Sequence, residues 1–369
     1  MGDQFKHTSV SPGKILRDEL LAKQIRQIDF AATIGVPSPV LNDLLKGKRN
    51  ITPDIAILLE TALGIDAGTW LHLQSERDIE VARKKAPLIQ KQKDIETWRD
   101  IQACCNTSYL NRALPGGLGN SLSQKIETVL QFFNVPDVKS LKNLFVEDVS
   151  PAYFRKSQRL ADIPSDIFTW KHIAFYKSSL LEDCPIQFNP SCQKDVIEGL
   201  STILYENDDT VNMITSLLYE NGIKFQIVEN ERGTHIDGFS FWRGKNPTIT
   251  ITLRHHKLDI LAFTLLHEFA HVLYHMNESD KDMSFLTLPD EKDSLLEKEA
   301  DAFAQKALIP ETEWQSFKIR HAGVSPYAIN PAIRDFAHKH QIHPAIVLGR
   351  YQHDTNVYDN GRGIERTIN

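Results

Sequence analysis

His267-Glu268-Phe269-Ala270-His271 reads H-E-x-x-H, and its neighbours decide what that pattern can be. Leu261-Ala-Phe-Thr-Leu-Leu precedes it and Val272-Leu-Tyr follows, an apolar run without glycine or proline, so the segment is expected to be helical. At about 3.6 residues per turn, positions four apart share one face. The two imidazoles then point the same way and can hold one metal ion. Glu268, displaced around the axis by one residue, can reach a water at that ion without binding the ion. The spacing is that of a zinc peptidase, with Glu268 as the general base. The plain alternative is a surface helix with two solvated histidines, and the apolar neighbours on nearly every side argue against it.

A catalytic zinc usually takes three protein ligands and leaves a place for water, and two His with one Glu is a common set. From Leu295 to Leu308 a second helix is expected, ended by Pro310, with Leu296, Ala300, Phe303, Ala304 and Ala307 as its apolar stripe. Glu297, 26 residues after His271, suits the third ligand. Asp301, one turn on, suits an acceptor for the second ring N–H of a ligand histidine. Glu299 is the rival ligand, but it stands about 200° round the helix from Glu297, so the two cannot serve one ion. Both acids could instead be solvent-facing helix charges. Zn2+ is the expected ion and Mn2+ the alternative.

The whole chain is compatible with this chemistry. Its 369 residues are 41% hydrophobic and 24% charged, with a net charge of −6, the make-up of an ordinary soluble protein of two or three domains. No apolar run reaches the length of a membrane span, and Met-Gly-Asp-Gln-Phe-Lys-His lacks the apolar core of a signal peptide. Cys104, Cys105, Cys184 and Cys192 form no C-x-x-C pair, so neither a disulfide framework nor a cysteine zinc site is expected. A cytoplasmic location is the simplest reading.

Residues 1–85 carry dense helix punctuation. Ser11-Pro12 and Thr52-Pro53 each offer a cap followed by proline at the first helical position, and Gly35, Gly47 and Gly64 supply stops. Asp66 caps a further helix containing Trp70 and Leu71. Five short helices with a tight turn at Gly35 describe a helix-turn-helix domain. Ser11-Pro-Gly-Lys-Ile-Leu, Leu41-Asn-Asp-Leu-Leu-Lys-Gly-Lys-Arg and Ile51-Thr-Pro-Asp-Ile-Ala resemble the Cro/C1-type domain of HigA-like antitoxins and plasmid-maintenance antidote proteins. That resemblance implies that the start of the third helix enters the major groove. Ser38 and Val40, followed by Asn42, would meet base edges, and Lys46, Lys48, Arg49 and Gln27 would meet phosphates. The 85 residues hold 12 Lys/Arg against 11 Asp/Glu, a net of +1, which is weak for a duplex binder. A dimerisation or partner-docking domain is the alternative.

Residues 86–165 read as a helical linker and support region. Leu114-Pro-Gly-Gly-Leu-Gly-Asn120 has neither the preceding strand nor the Lys-Ser/Thr of a phosphate loop and is taken as a turn. Residues 166–369 form the third region. Lys224-Phe-Gln-Ile-Val, Gly238-Phe-Ser-Phe-Trp and Thr248-Ile-Thr-Ile-Thr-Leu alternate as strands, and a small antiparallel sheet against the H-E-x-x-H helix is expected. One edge strand could take an extended peptide by strand addition.

Phe154-Arg-Lys-Ser, Ile236-Asp-Gly-Phe, Leu253-Arg254, the H-E-x-x-H segment, Glu297-Lys-Glu-Ala-Asp-Ala-Phe-Ala and Ile342-His-Pro-Ala-Ile-Val-Leu-Gly-Arg350 resemble the ImmA/IrrE family of metallopeptidases. The resemblance implies a gluzincin-like endopeptidase with its third ligand at Glu297, acting on a repressor- or antitoxin-type regulatory protein in stress, phage or toxin–antitoxin responses. Asp301 stands where that family often has Asn. A donor to the oxyanion is also needed, and His343, Tyr274 and Arg254 are the candidates. His275, one turn past His271, is placed beside the cleft.

The reading is thus an α+β, mostly helical chain: a helix-turn-helix domain, a helical connector and a zincin-like domain. Its function would be that of a cytoplasmic transcriptional regulator with a zinc endopeptidase, binding operator DNA as a homodimer and cutting a repressor or cognate toxin. Two rivals stand beside it: a DNA-binding antitoxin whose peptidase domain is sensory or inactive, and a protein that sequesters a toxin.

Overall fold

The computed structural model describes residues 10–148, 164–231, 234–276, 284–287, 294–325, 328–358 and 363–369. Phe154-Arg-Lys-Ser lies outside the described residues. The chain divides into two compact units, Met1–Trp98 and Arg99–Asn369. Among the described residues, no helix is long and apolar enough to cross a membrane.

The first unit contains α1 (Pro12–Ala22), α2 (Gln27–Thr33), α3 (Ser38–Leu45), α4 (Pro53–Leu63) and α5 (Ala67–Arg83). Local chemistry sets most of their ends. Thr52 and Asp66 accept from the backbone N–H of Ile55 and Thr69, capping α4 and α5. Gly35 adopts φ +66° between α2 and α3, a left-handed turn that a side chain would strain. The apolar faces meet around Trp70, with Leu16, Phe30, Leu41, Leu44 and Leu59 also fully buried. Each such side chain contributes roughly 1.5–3 kcal/mol on leaving water. The polar joint after Arg83 is brief, because α6 (Ala86–Cys104) begins at once and the division between units falls inside it.

The second unit continues with α7 (Thr107–Ala113), α8 (Leu122–Phe132), α9 (Val138–Asp148), α10 (Pro164–Leu180), α11 (Gln193–Glu206) and α12 (Thr210–Glu220). Strands β1 (Lys224–Ile227), β2 (Gly238–Arg243) and β3 (Asn246–Ile251) follow, then α13 (Leu258–Ala270), a π-helical turn (His271–His275) and β4 (Ser284–Thr287). Helices α14 (Leu295–Ala307), α15 (Glu311–Arg320), α16 (Asn330–His340) and α17 (Pro344–Thr355) complete it.

The sheet runs β1-β3-β2-β4. Strand β2 pairs antiparallel with both β3 and β4, as expected, but β1 joins β3 in parallel, so the sheet is mixed. The cause is the hairpin. A two-residue turn at Gly244-Lys245 forces β2 and β3 together, leaving β1 the outer edge of β3. Alternation then divides β2 between two layers. Phe239 and Phe241 pack on Trp170 and Phe175 of α10, while Ser240 faces α13. Helix α13 lies between the sheet, α14 and α17, and eleven of its thirteen residues are buried. That burial explains the unbroken apolar run around H-E-x-x-H.

Candidate metal centre

Helix α13 brings His267 and His271 to one face, one turn apart, with their Nε2 atoms 3.1 Å from each other. Helix α14 supplies the acid. Ser294 caps its first turn by accepting from the Glu297 N–H, and the buried Ala300 and Ala304 let its backbone come close to α13. Glu297 Oε2 lies 3.0 Å from His267 Nε2, and its Oε1 lies 3.4 Å from His271 Nε2. These three donors all fall within 4.8 Å of one another, and among the described residues no other group of His, Cys, Asp or Glu does so. Two imidazoles and a carboxylate in such a cluster fit a zinc-type ion.

Both histidines have their outer nitrogens engaged. His267 Nδ1–H donates to Asp301 Oδ1 at 2.8 Å, the place expected for Asp301. His271 Nδ1 meets His275 Nδ1 at 2.9 Å, and His275 Nε2 meets Glu299 Oε2 at 3.1 Å. Glu299, the rival ligand, therefore contacts His275 and lies outside the three-donor cluster. Phe285 of β4 stacks flat on the His271 ring, with centroids 4.4 Å apart. The π-helical turn begins at His271 itself, as such turns often do at functional sites.

Electrostatics follow from this packing. Burial would depress the His267 imidazolium, but the hydrogen bonds it donates to Asp301 and Glu297 outweigh that and hold the group up at about 10. Burial would raise Glu297, yet its bonds to His267 and His271 bring it down to about 2. A metal ion entering the cluster must therefore displace a proton. Glu268 has no exposed surface, and burial raises its pKa, opposed by His267, His271 and Ser240. Ser240 Oγ–H donates to its Oε2, while Oε1 is buried and has no hydrogen-bond partner among the described residues. Gly238 makes room for this carboxylate, since a Cβ there would stand 2.2 Å from Oε1.

His267, Glu297 and Asp301 form one wall of a cavity of about 440 Å³ whose other walls include Phe263, Leu308 and Ile346. The oxyanion candidates stand apart from it. Arg254 pairs with Asp237 at 2.9 Å, Tyr274 is half exposed against Phe303, and His343 caps α17 by accepting from the Ala345 N–H. None of the three lines the cavity. In the first unit, Ser38 and Asn42 are exposed on α3, and Gln27, Lys46, Lys48 and Arg49 are exposed nearby. Val40 packs partly against the core.

Reading by motif missed Ser240, Phe285 and the pairing of Glu299 with His275. The signal for the last was available: His275 repeats the four-residue spacing of His267 and His271, and Glu299 shares a helix with Glu297.

Residues 227–320 match the IrrE N-terminal-like domain of peptidase family M78, and residues 16–70 match a helix-turn-helix domain. Virulence-associated protein I of Dichelobacter nodosus is 31% identical over 77 residues, which span 21% of this chain and 71% of that protein. The uncharacterized HTH-type transcriptional regulator YddM of Escherichia coli K12 is 30% identical over 73 residues, 20% of this chain and 78% of that one. Among solved structures, a HigA-family addiction module antidote protein from Coxiella burnetii is 30% identical with a TM-score of 0.22, covering 23% of this chain and 92% of that chain. Pseudomonas aeruginosa antitoxin HigA with its higBA promoter is 36% identical with a TM-score of 0.20, covering 20% of this chain and 83% of that chain. The chain accordingly belongs to the helix-turn-helix proteins and carries an IrrE N-terminal-like domain of peptidase family M78 in its C-terminal half.

Proposed function

We propose that this chain is a cytoplasmic transcriptional regulator whose C-terminal domain hydrolyses a peptide bond in a regulatory protein of the repressor or antitoxin type. The observation that carries the reading is the meeting of His267 Nε2, His271 Nε2 and the Glu297 carboxylate beside the buried Glu268. These residues would hold Zn2+, with Mn2+ as the alternative. When bound, such an ion supplies a Lewis acid that polarises a scissile carbonyl and acidifies water. Glu268 would accept the proton of the attacking water and pass it to the leaving amine. Burial raises its pKa and so makes it a stronger base. Asp301 keeps the His267 ring in place. The adjoining cavity, where Phe263, Leu308 and Ile346 stand beside charged side chains such as Arg350 and Asp259, would receive a substrate side chain next to the cut bond.

The N-terminal unit would bind operator DNA as a homodimer, with Ser38 and Asn42 at base edges and Gln27, Lys46, Lys48 and Arg49 at phosphates. Val40, being partly buried, would reach a thymine methyl only with its exposed part. The domains of this proposal are the helix-turn-helix region 1–85, the support region 86–165 and the peptidase region 166–369.

A second reading is favoured by one feature: the Glu268 carboxylate is wholly enclosed, so the domain could sense a ligand while cutting nothing. The substitution Glu268→Gln separates the two. Under the peptidase reading the variant takes up zinc like the wild type, and cleavage of the partner regulator falls by about 10²–10⁴-fold. Unchanged behaviour in every assay, with no transition metal in the purified wild type, would remove the peptidase reading.

A further inference from the structure

The two ligand histidines are held from outside by different means. Asp301 accepts directly from His267, whereas His271 is backed by a second imidazole, which in turn is backed by a surface acid. We propose that Glu299 and His275 are a positioning pair that fixes, through two hydrogen bonds, which nitrogen of His271 is left bare for the metal ion. The inference rests on the metal-centre reading above.

A carboxylate can only accept, so Glu299 at 3.1 Å requires a proton on His275 Nε2. In neutral imidazole the other nitrogen then carries only a lone pair, so His275 Nδ1 is an acceptor. The 2.9 Å contact with His271 Nδ1 therefore needs the proton on the His271 side. That places the His271 lone pair on Nε2, the nitrogen facing Glu297 and His267. Asp301 imposes the same tautomer on His267 in one step. Once the proton held between His267 Nε2 and Glu297 is displaced, both lone pairs converge on the side where Glu297 waits.

Packing supports the arrangement. The His271 and His275 side chains are almost completely enclosed, so neither nitrogen can turn to solvent for a substitute partner. Phe285 stacks on His271 and lies 5.7 Å from His275, which limits rotation of both rings. Glu299 is two-thirds exposed, so the outermost link of the pair lies at the protein surface.

The test is metal affinity of the full-length protein, measured by titrating Zn2+ against a chromophoric chelator, with the visible spectrum of the Co2+ form as a second readout. Outer partners of this kind are worth about 10–100-fold in affinity. His275→Leu, which cannot accept, should weaken Zn2+ binding by at least about tenfold and alter the Co2+ spectrum. His275→Asn sets an amide oxygen where Nδ1 stood, and should restore affinity to within about threefold of the wild type. Glu299→Ala, at an exposed site, should lower affinity by a smaller factor of about three. Equal affinity in His275→Leu and the wild type overturns the proposal. So do equally weak binding by the Leu and Asn variants, which would mark a packing role, and an unmoved Glu299→Ala variant. A wild type that binds no divalent ion would remove the metal centre and this wiring with it, whereas binding without hydrolysis leaves the wiring intact and removes only the peptidase.

Discussion

The candidate metal centre and the α3 surface place their polar side chains in opposite circumstances. In the C-terminal unit, His267, His271 and His275 are enclosed and contact one another or the acids of α14, and Glu268 is enclosed against Ser240. In the N-terminal unit, Gln27, Ser38, Asn42, Lys46, Lys48 and Arg49 stand exposed on a well-packed helical core. Enclosed groups specify each other, so the loss of one leaves its partners uncompensated. Exposed groups act singly, and their contributions add.

The sharpest way to break this contrast is through the core beneath the metal centre. Phe269→Ala should cost about 3–5 kcal/mol in urea unfolding, whereas Lys48→Ala should stay within about 0.5 kcal/mol. Similar values for the two would show that the burial of α13 is not what holds the site. Next in size is a ligand deletion. Glu297→Ala should weaken Zn2+ binding by more than about a hundredfold, and adding His267→Ala should cost far less than the product of the single effects.

A smaller effect is expected from pH in the metal-free protein. His267 is raised from 6.5 to about 10, so its stabilising contribution is whole below about 6.5 and is lost as pH climbs through 10. Glu297 is lowered from 4.5 to about 2, so its contribution is whole above about 4.5 and is lost as pH falls through 2. The thermal midpoint should therefore be highest between about pH 4.5 and 6.5 and decline on the alkaline side, and Glu297→Gln should flatten that decline. The smallest effect belongs to the surface. Lys46→Ala, Lys48→Ala and Arg49→Ala should each reduce the salt dependence of operator binding by about one unit of slope, and the reductions should sum. Coupled losses there would contradict the additive picture.

The difference in burial also explains what could be read beforehand. His267, Glu268 and His271 are legible because a helix fixes their spacing, and Glu297 because its distance and its helix leave few choices. Helix ends at Thr52, Gly64 and Asp66 are legible because capping is local chemistry. Pairings across space are not. Nothing in Lys224–Ile227 says that it runs parallel to β3, and the four residues of β4 are too few to show alternation. Ser240 looks like one more alternating strand residue until α13 is laid against it. On α3 the residues could be named by position, but their chemistry depends on a partner outside the chain.

Glu297, Glu299 and Asp301 all come from α14, so among the described residues a single rod delivers the acids that touch the three histidines. Sliding or fraying of that rod would disarm the centre in one movement instead of by degrees. By thermodynamic linkage the reverse also holds: an ion captured between the two helices clamps the rod home, and cofactor loading and helix docking become two descriptions of one equilibrium.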